Sequence, residues 1–279
     1  MTLTRYLYDK QLVEQSLLAS LVARDKEQAK FWAFELFHSG FHDETMHLLI
    51  ELYYRLYINR YPNMEDFIRR QLYQWTDDKD WVVGTIVENF AIRTPDVALY
   101  NASNAFTQQI DSIDEGYAIL DEFCGSSMLR ESLPSETCPS SIYLFRYACI
   151  SRIYRTGTCV DRRAYVVLSK DDVAKYRNIP FVRGKSWKIL RRLSLYPVTS
   201  AAPVTSATGD GAPDDNWLAR AYHSPIWKKR IHKYGGKLVD GHVAFDDQDA
   251  EIEFRSWYDL EPDEQPTSVK SCWSRGNLR

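Results

Sequence analysis

The chain has 279 residues, of which 44% are hydrophobic and 26% are charged, so it has the composition of a globular protein and the length for one large or two modest domains. The chain has five cysteines, an odd number, and no two of them form a C-x-x-C pair. This argues against a disulfide framework and a zinc knuckle. The sequence shows neither an apolar leader nor a stretch long enough to span a bilayer, so we expect an intracellular protein without membrane contact.

Residues 10–107 show the periodicity of successive helices. Residues 10–23 place apolar side chains at helical spacing, and the runs 29–38 and 44–60 are apolar on almost every face. Residues 80–93 predict a further helix, although the valines and Gly84 in this run also allow a strand. Short turns between these runs favour antiparallel helical hairpins, arranged as a bundle or a HEAT-like array.

The stretch FHSGFHDETMH gathers three histidines and two acids, which raises the hypothesis of a metal site. Gly40 separates His38 from His42, and glycine readily takes the left-handed conformation that ends a helix. Asp43 is a typical N-cap residue, and His47 lies five positions after His42, off its helical face. We therefore predict a corner between two buried helices, with no metal and no cofactor.

The second half of the chain mixes strand, linker and helix signals. AYVVLSKDDVAKYRNI predicts a short strand leading into a helix capped at Ser169. KLVDGHVAF predicts a hairpin around its Asp-Gly pair, and DDQDAEIEFRSWY predicts an acidic helix. These patterns and the N-terminal helices predict a mainly α fold of stacked antiparallel helical hairpins, with a small C-terminal α+β appendage.

We predict four segments along the chain. Residues 1–125 are expected to form a helical-hairpin domain, and residues 126–196 a basic helical subdomain. Residues 197–215 have the low complexity of a flexible linker. Residues 216–279 are expected to form the α+β appendage with its acidic tail.

Charge is unevenly distributed along the chain. Residues 146–192 contain thirteen Lys or Arg against three Asp, whereas residues 240–264 contain ten acids and one Arg. Interleaved cations and rings are typical of nucleic-acid contact, because cations neutralise phosphates and rings stack on bases. The alternative is a solvated basic face, or one masked by the acidic C-terminal region. The nucleic-acid hypothesis rests on Arg146, Arg152, Arg155, Arg162, Arg163, Lys185, Lys188, Arg191 and Arg192.

No sequence motif names a reaction. The G-x-S-x-G, G-x-G-x-x-G and P-loop patterns do not occur, although a dispersed catalytic site would leave no local motif. We predict a non-enzymatic scaffold or adaptor that binds protein partners through aromatic-rich helical surfaces, with no small-molecule substrate. A nucleic-acid-binding accessory factor in replication, transcription or translation is the alternative. The expected partner-binding patch contains the exposed members of Trp75, Trp81, Trp187 and Tyr196.

Several aromatic and polar runs lie at both ends of the chain: AKFWAFELFHSGF, LLIELYYRLYINRYP and VGTIVENFAIR, then SPIWKKRI, YGGKLV and WYDLEPDEQ. In these runs the chain resembles a set of proteins from nucleocytoplasmic large DNA viruses (giant viruses). The resemblance implies a viral product that acts in the host cytoplasm or viral factory, or is carried in the virion. It implies no catalytic residue.

Overall fold

A computed structural model describes residues 2–101, 163–177 and 217–258, and within these ranges the chain forms nine complete α-helices, a further helical segment over residues 97–101, and one two-stranded antiparallel sheet. The elements are α1 (Lys10–Ala23), α2 (Lys26–Phe37), α3 (His42–Leu56), α4 (Met64–Gln74), α5 (Asp80–Ala91), α6 (Lys170–Arg177), α7 (Trp217–Tyr222), α8 (Pro225–Lys233), β1 (Gly236–Val239), β2 (His242–Phe245) and α9 (Gln248–Tyr258). The predicted mainly α fold with a small C-terminal α+β part is confirmed. A repeat arrangement of the hairpins stays a prediction.

Two compact units share the chain. The first combines Met1–Ala19, Glu27–His42 and Asp171–Arg279, and the second combines Ser20–Lys26 and Asp43–Lys170. The predicted domain boundaries at residues 125, 196 and 215 lie outside the described residues, as does the predicted linker.

The first unit buries its C-terminal helices against the beginning of the chain. Trp217, Trp227 and Phe254 belong to one apolar cluster with Leu3 and Leu7. The Trp227 ring meets the Trp217 ring edge-on, with centroids 5.5 Å apart. Large rings bury much apolar area, so these aromatics anchor the α+β part to the N-terminal segment.

Arg5 forms the main buried polar contact of the first unit. Its Nε donates to Glu35 Oε2 at 2.9 Å, and its Nη1 and Nη2 donate to the carbonyls of Arg177 and Tyr176, both at 2.7 Å. Glu35 also accepts the backbone N–H of Tyr6 at 3.0 Å. Burial raises the pKa of Glu35, while the Arg5 charge and these hydrogen bonds act to lower it. The pair therefore fastens the N-terminal segment to α2 and to the last carbonyls of α6.

The predicted helix end at Gly40 is confirmed. Gly40 has a φ of +90°, its N–H donates to the Phe37 carbonyl at 2.9 Å, and the Phe41 N–H donates to the Leu36 carbonyl at 3.4 Å. These two bonds form a Schellman motif, which satisfies the last carbonyls of α2. The N-cap prediction for Asp43 is wrong, because α3 begins at His42 and Asp43 lies in its first turn.

The corner histidines lie against aromatic rings. His38 stacks on Phe34 with centroids 5.6 Å apart, and His42 stacks on Phe37 at 4.5 Å. His47 is exposed. Across the three described ranges, no group of three or more His, Cys, Asp or Glu side chains is placed to hold a metal ion.

The C-terminal hairpin and acidic helix are confirmed. β1 and β2 pair in an antiparallel register from Gly236 opposite Phe245 to Val239 opposite His242. The two turn residues have positive φ values, 48° at Asp240 and 79° at the following glycine, as a two-residue type I′ turn requires. α9 then follows over the predicted acidic run.

Candidate partner-binding strand on helix α5

The β-strand predicted at AYVV does not form: among the described residues no neighbouring strand pairs with this segment, and a helix holds it instead. The Val166 N–H donates to Asn89 Oδ1 at 3.1 Å, and Asn89 Nδ2 donates to the Val166 carbonyl at 2.7 Å. The Leu168 N–H donates to Thr85 Oγ1 at 2.9 Å. Side chains of α5 therefore take the place of a strand ladder. We call Arg163–Ser169 the α5-bound strand, because the N–H groups that contact α5 alternate along it as in a strand, although no other strand within the described residues pairs with it.

The residues that hold this strand are four positions apart along the helix. We call Trp81, Thr85, Asn89 and Arg93 the α5 stripe. Four residues of helix advance about 6.0 Å, and two residues of extended chain advance about 6.6 Å, so successive stripe residues meet every second residue of the strand. At the far end, Lys170 Nζ lies 4.9 Å from the Trp81 ring centroid. The strand therefore runs antiparallel to α5.

Arg93 completes the stripe beyond the end of α5. Its Nη2 donates to the Arg163 carbonyl at 3.2 Å, and its Nη1 donates to Asn89 Oδ1 at 3.0 Å. Its guanidinium also lies 4.7 Å from the Tyr165 ring centroid, and Tyr165 stacks on Phe67 with centroids 4.2 Å apart. These contacts fix both the backbone and one side chain of the α5-bound strand.

Burial makes these polar contacts necessary. Thr85, Asn89 and Arg93 are each exposed by 1% or less. A buried polar group without a partner costs about 1–3 kcal/mol, and the backbone of the α5-bound strand supplies partners for all three. Side chains of the α5 stripe therefore hold the backbone of this segment in place.

At Val167 the outer edge of the α5-bound strand is exposed. Val166 is 37% exposed and Val167 is 65% exposed. Since the N–H groups of Val166 and Leu168 point toward α5, the N–H of Val167 faces the opposite edge. No residue in the described part of the chain forms a hydrogen bond with the Val167 backbone. An open strand edge is a template for pairing with another chain.

The predicted partner-binding aromatics are only partly described. Trp81 is half-buried and belongs to the α5 stripe, while half-buried Trp75 is the C-cap of α4. The indole Nε1 of Trp75 is buried without a hydrogen-bond partner among the described residues. Trp187 and Tyr196 lie outside the described residues.

Of the nine residues predicted to bind nucleic acid, the structure describes Arg163 alone. Arg163 Nη1 donates to the Ile92 carbonyl at 2.5 Å, so part of its hydrogen-bonding capacity is used within the protein. The other eight lie outside the described residues: Arg146, Arg152, Arg155, Arg162, Lys185, Lys188, Arg191 and Arg192.

Another cation of the same basic block is paired within the protein. Lys175 Nζ lies 2.5 Å from Glu27 Oε2, and the Tyr176 hydroxyl donates to the same oxygen at 2.8 Å. Partial burial raises the pKa of Glu27, but hydrogen bonds from Lys175, Tyr176 and Lys30 outweigh it and lower the pKa to about 2. The local structure therefore neutralises this part of the block.

Sequence reasoning missed Thr85, Asn89 and Arg93. Their signal was the spacing of four that they share with Trp81 inside an apolar helix. Polar residues at this spacing lie on one helical face and need partners when the helix is buried.

Comparison with known proteins gave no matching family model, no matching curated protein and no matching solved structure. The residues themselves are therefore the basis for inferring a function. Within the ranges that the structure describes, no helix combines the length and apolar character needed to cross a bilayer.

Proposed function

We propose that the chain is a non-enzymatic adaptor that binds a protein partner by adding a strand from that partner to the α5-bound strand. One observation carries the proposal: the α5 stripe uses the inner edge at Val166 and Leu168, whereas the outer edge at Val167 is open and exposed. Strand addition is a common mode of peptide recognition, in which main-chain hydrogen bonds give affinity.

The energetics favour a strand that is already ordered. Fixing the backbone of one residue costs about 1–2 kcal/mol, and in this protein the α5 stripe fixes it before binding. Each new hydrogen bond at the edge then contributes about 0.5–1.5 kcal/mol, and the exposed valines add apolar contact. The partner alone therefore has to become ordered.

The α5-bound strand offers a matched pair of proline variants. Val167→Pro removes the outward N–H and retains the extended conformation, because the residue before proline also favours an extended backbone. Val166→Pro removes the N–H that donates to Asn89 and should detach the strand. The two substitutions differ by one position and affect opposite edges.

The test is capture of stoichiometric partners from expressing cells after nuclease treatment. We expect the wild-type chain to retain a partner and Val167→Pro to lose it, with an unchanged thermal midpoint of unfolding. Val166→Pro should lose the partner and also lower the midpoint. Equal capture by the wild type and Val167→Pro, or loss of every partner after nuclease, would contradict the proposal.

The resemblance to proteins of large DNA viruses supplies the setting for this proposal: an intracellular, virus-encoded adaptor. The alternative, an accessory factor that binds nucleic acid through residues 146–192, has less support in the described residues. Arg163 and Lys175 are exposed, but each contacts another residue of the same chain.

A further inference from the structure

Helix α8 carries a strongly basic face. Lys228, Lys229, His232 and Lys233 are exposed, whereas Trp227 on the same helix is completely buried. The lysine and histidine positions are separated by one, three, four or five residues, so they share one side of the helix. We call these four residues the α8 basic face.

The α8 basic face has no acidic partner in the part of the chain that the structure describes. None of its three lysines forms an ion pair with a carboxylate there, and α8 itself contains no acid. Two acids of the neighbouring elements are paired elsewhere: Asp246 with Lys237 at 2.8 Å, and Glu251 with Arg255 at 2.8 Å.

Local helix energetics do not account for this arrangement. Like charges four residues apart destabilise a helix, as with Lys229 and Lys233. The helix dipole favours cations in the last turn, where Lys233 lies, but Lys228 and Lys229 lie nearer to the N-terminal end. An external anion would offset the repulsion that the described residues leave unbalanced.

The base of α8 is firmly held. Trp227 Nε1–H donates to the Thr4 carbonyl at 2.9 Å, and the Ile226 N–H donates to the Ser39 carbonyl at 3.1 Å. On the exposed side, the Tyr222 hydroxyl lies 2.7 Å from His232 Nε2, and Lys228 Nζ lies 5.8 Å from the Tyr222 ring centroid. The lysines therefore project from a fixed helix that also presents one aromatic ring.

The composition of the face favours nucleic acid over a protein surface. Lysine is depleted at protein–protein interfaces, whereas lysines are common contacts to phosphate. The arginine of α8 is not on this face, because Arg230 lies between rings, 4.6 Å from the Trp227 centroid and 5.3 Å from the Tyr258 centroid. Lysines act as point charges without the planar fork that reads guanine, so contact with the phosphate backbone alone is expected.

We propose that the α8 basic face binds the phosphate backbone of nucleic acid without reading its sequence. The site lies outside residues 146–192, and its evidence is separate from that for strand addition at Val167. Three lysines that each neutralise one phosphate should contribute about −3 to the slope of log affinity against log salt on duplex DNA.

The test uses the full chain and a fluorescent duplex of mixed sequence, with affinity measured by anisotropy over a salt series. The triple variant Lys228→Gln, Lys229→Gln, Lys233→Gln should bind more weakly at low salt, and its slope should be shallower by about 3. The matched control is Lys237→Gln, an exposed lysine that is already paired with Asp246, and its slope should equal that of the wild type.

A single substitution guards against misfolding of the triple variant. Lys229 is exposed and forms no hydrogen bond, ion pair or ring contact with the described residues, so Lys229→Gln should fold normally and reduce the slope by about 1. Absence of duplex binding by the wild type at low salt would overturn the proposal, as would an unchanged slope in the lysine variants. Equal or tighter binding to polyglutamate or to phosphatidylserine vesicles would also overturn it, by showing a preference for acidic protein or membrane.

Discussion

Two basic regions of this chain differ in how their charge is used. Around the α5-bound strand and α6, Arg163 donates to a backbone carbonyl, Lys170 lies over Trp81, and Lys175 pairs with Glu27. On α8, Lys228 and Lys229 have no carboxylate partner among the described residues. Both regions are exposed, but the described part of the basic block contains a lysine paired with a carboxylate, whereas the α8 lysines have no such partner among the described residues. Internal pairing, more than charge density along the sequence, decides which region is available to a polyanion.

The two regions also differ in the hydrogen bonds that hold them in place. The α5-bound strand is fixed by buried Thr85 and Asn89, which leaves its open edge as the surface that a partner can use. α8 is fixed by Trp227, which leaves its lysines as the available surface. A main-chain partner suits the first surface, and a phosphate backbone suits the second.

The largest expected effect concerns the buried Arg5–Glu35 ion pair, which holds the N-terminal segment that α8 contacts. Arg5→Met leaves Glu35 buried without its cation and removes donors from the last carbonyls of α6. Loss of one member of a buried ion pair costs about 3–5 kcal/mol, so the free energy of unfolding measured with urea should fall by that amount. Arg69→Met is the control, because Arg69 pairs with Glu65 on the surface and should change stability by less than about 1 kcal/mol. Similar losses in the two variants would show that the Arg5 pair is not structural.

The next effect concerns the α5 stripe. Asn89→Ala removes both hydrogen bonds to Val166 and leaves the partly buried N–H and carbonyl of Val166 unpaired, which should cost about 1–3 kcal/mol in the free energy of unfolding. Amide exchange at Val166 should become faster, while exchange at Val167 should be fast already in the wild type. The control is Asn63→Ala, an exposed position whose side chain makes no capping bond and which should stay within about 0.5 kcal/mol. A slow Val167 amide in the wild type would contradict an open outer edge.

The smallest expected effect concerns the ion pair between Lys175 of α6 and Glu27. The folded pKa of Glu27 is lowered to about 2 from an ordinary value of 4.5. Its contacts therefore stabilise the fold fully above about pH 4.5, and that contribution is lost as the pH falls through the window down to 2. Lys175→Met should reduce the fall in the free energy of unfolding across this window, measured with urea at a series of pH values. The reduction should be less than about 1 kcal/mol, because the pair is largely exposed. Identical dependence of stability on pH in the variant and the wild type would show that Lys175 does not lower the pKa of Glu27.

Local signals in the sequence predicted local structure well. The Gly40 helix end and the Asp-Gly hairpin depend on contacts within a few residues, and both are present, whereas the strand predicted at AYVV does not form. The N-cap prediction for Asp43 was wrong because α3 begins at His42, two residues before the start that a cap at Asp43 implies. Gly84 allowed a strand, but the complete burial of its neighbours in α5 fits a helix packed on all sides.

Contacts between residues far apart in the chain could not be predicted from the sequence. Asn89 meets Val166 across 77 positions, and Arg5 meets the carbonyl of Arg177 across 172. No propensity or periodicity specifies which distant backbone a polar side chain will bond to. Whether a lysine finds an acid likewise depends on the folded chain, so the sequence alone does not show which basic residues are paired.

The most direct measurement compares the two basic regions in one duplex-DNA salt titration. One variant is Lys228→Gln, Lys229→Gln, Lys233→Gln, and the other is Arg163→Gln, Lys170→Gln, Lys175→Gln. Each removes three cations. The predicted result is a slope that is shallower by about 3 in the α8 variant, with the wild-type slope and a lower thermal midpoint in the other variant. The reverse result, with the slope lost from the second variant and retained by the α8 variant, would contradict the distinction between internally engaged and outward-facing charge.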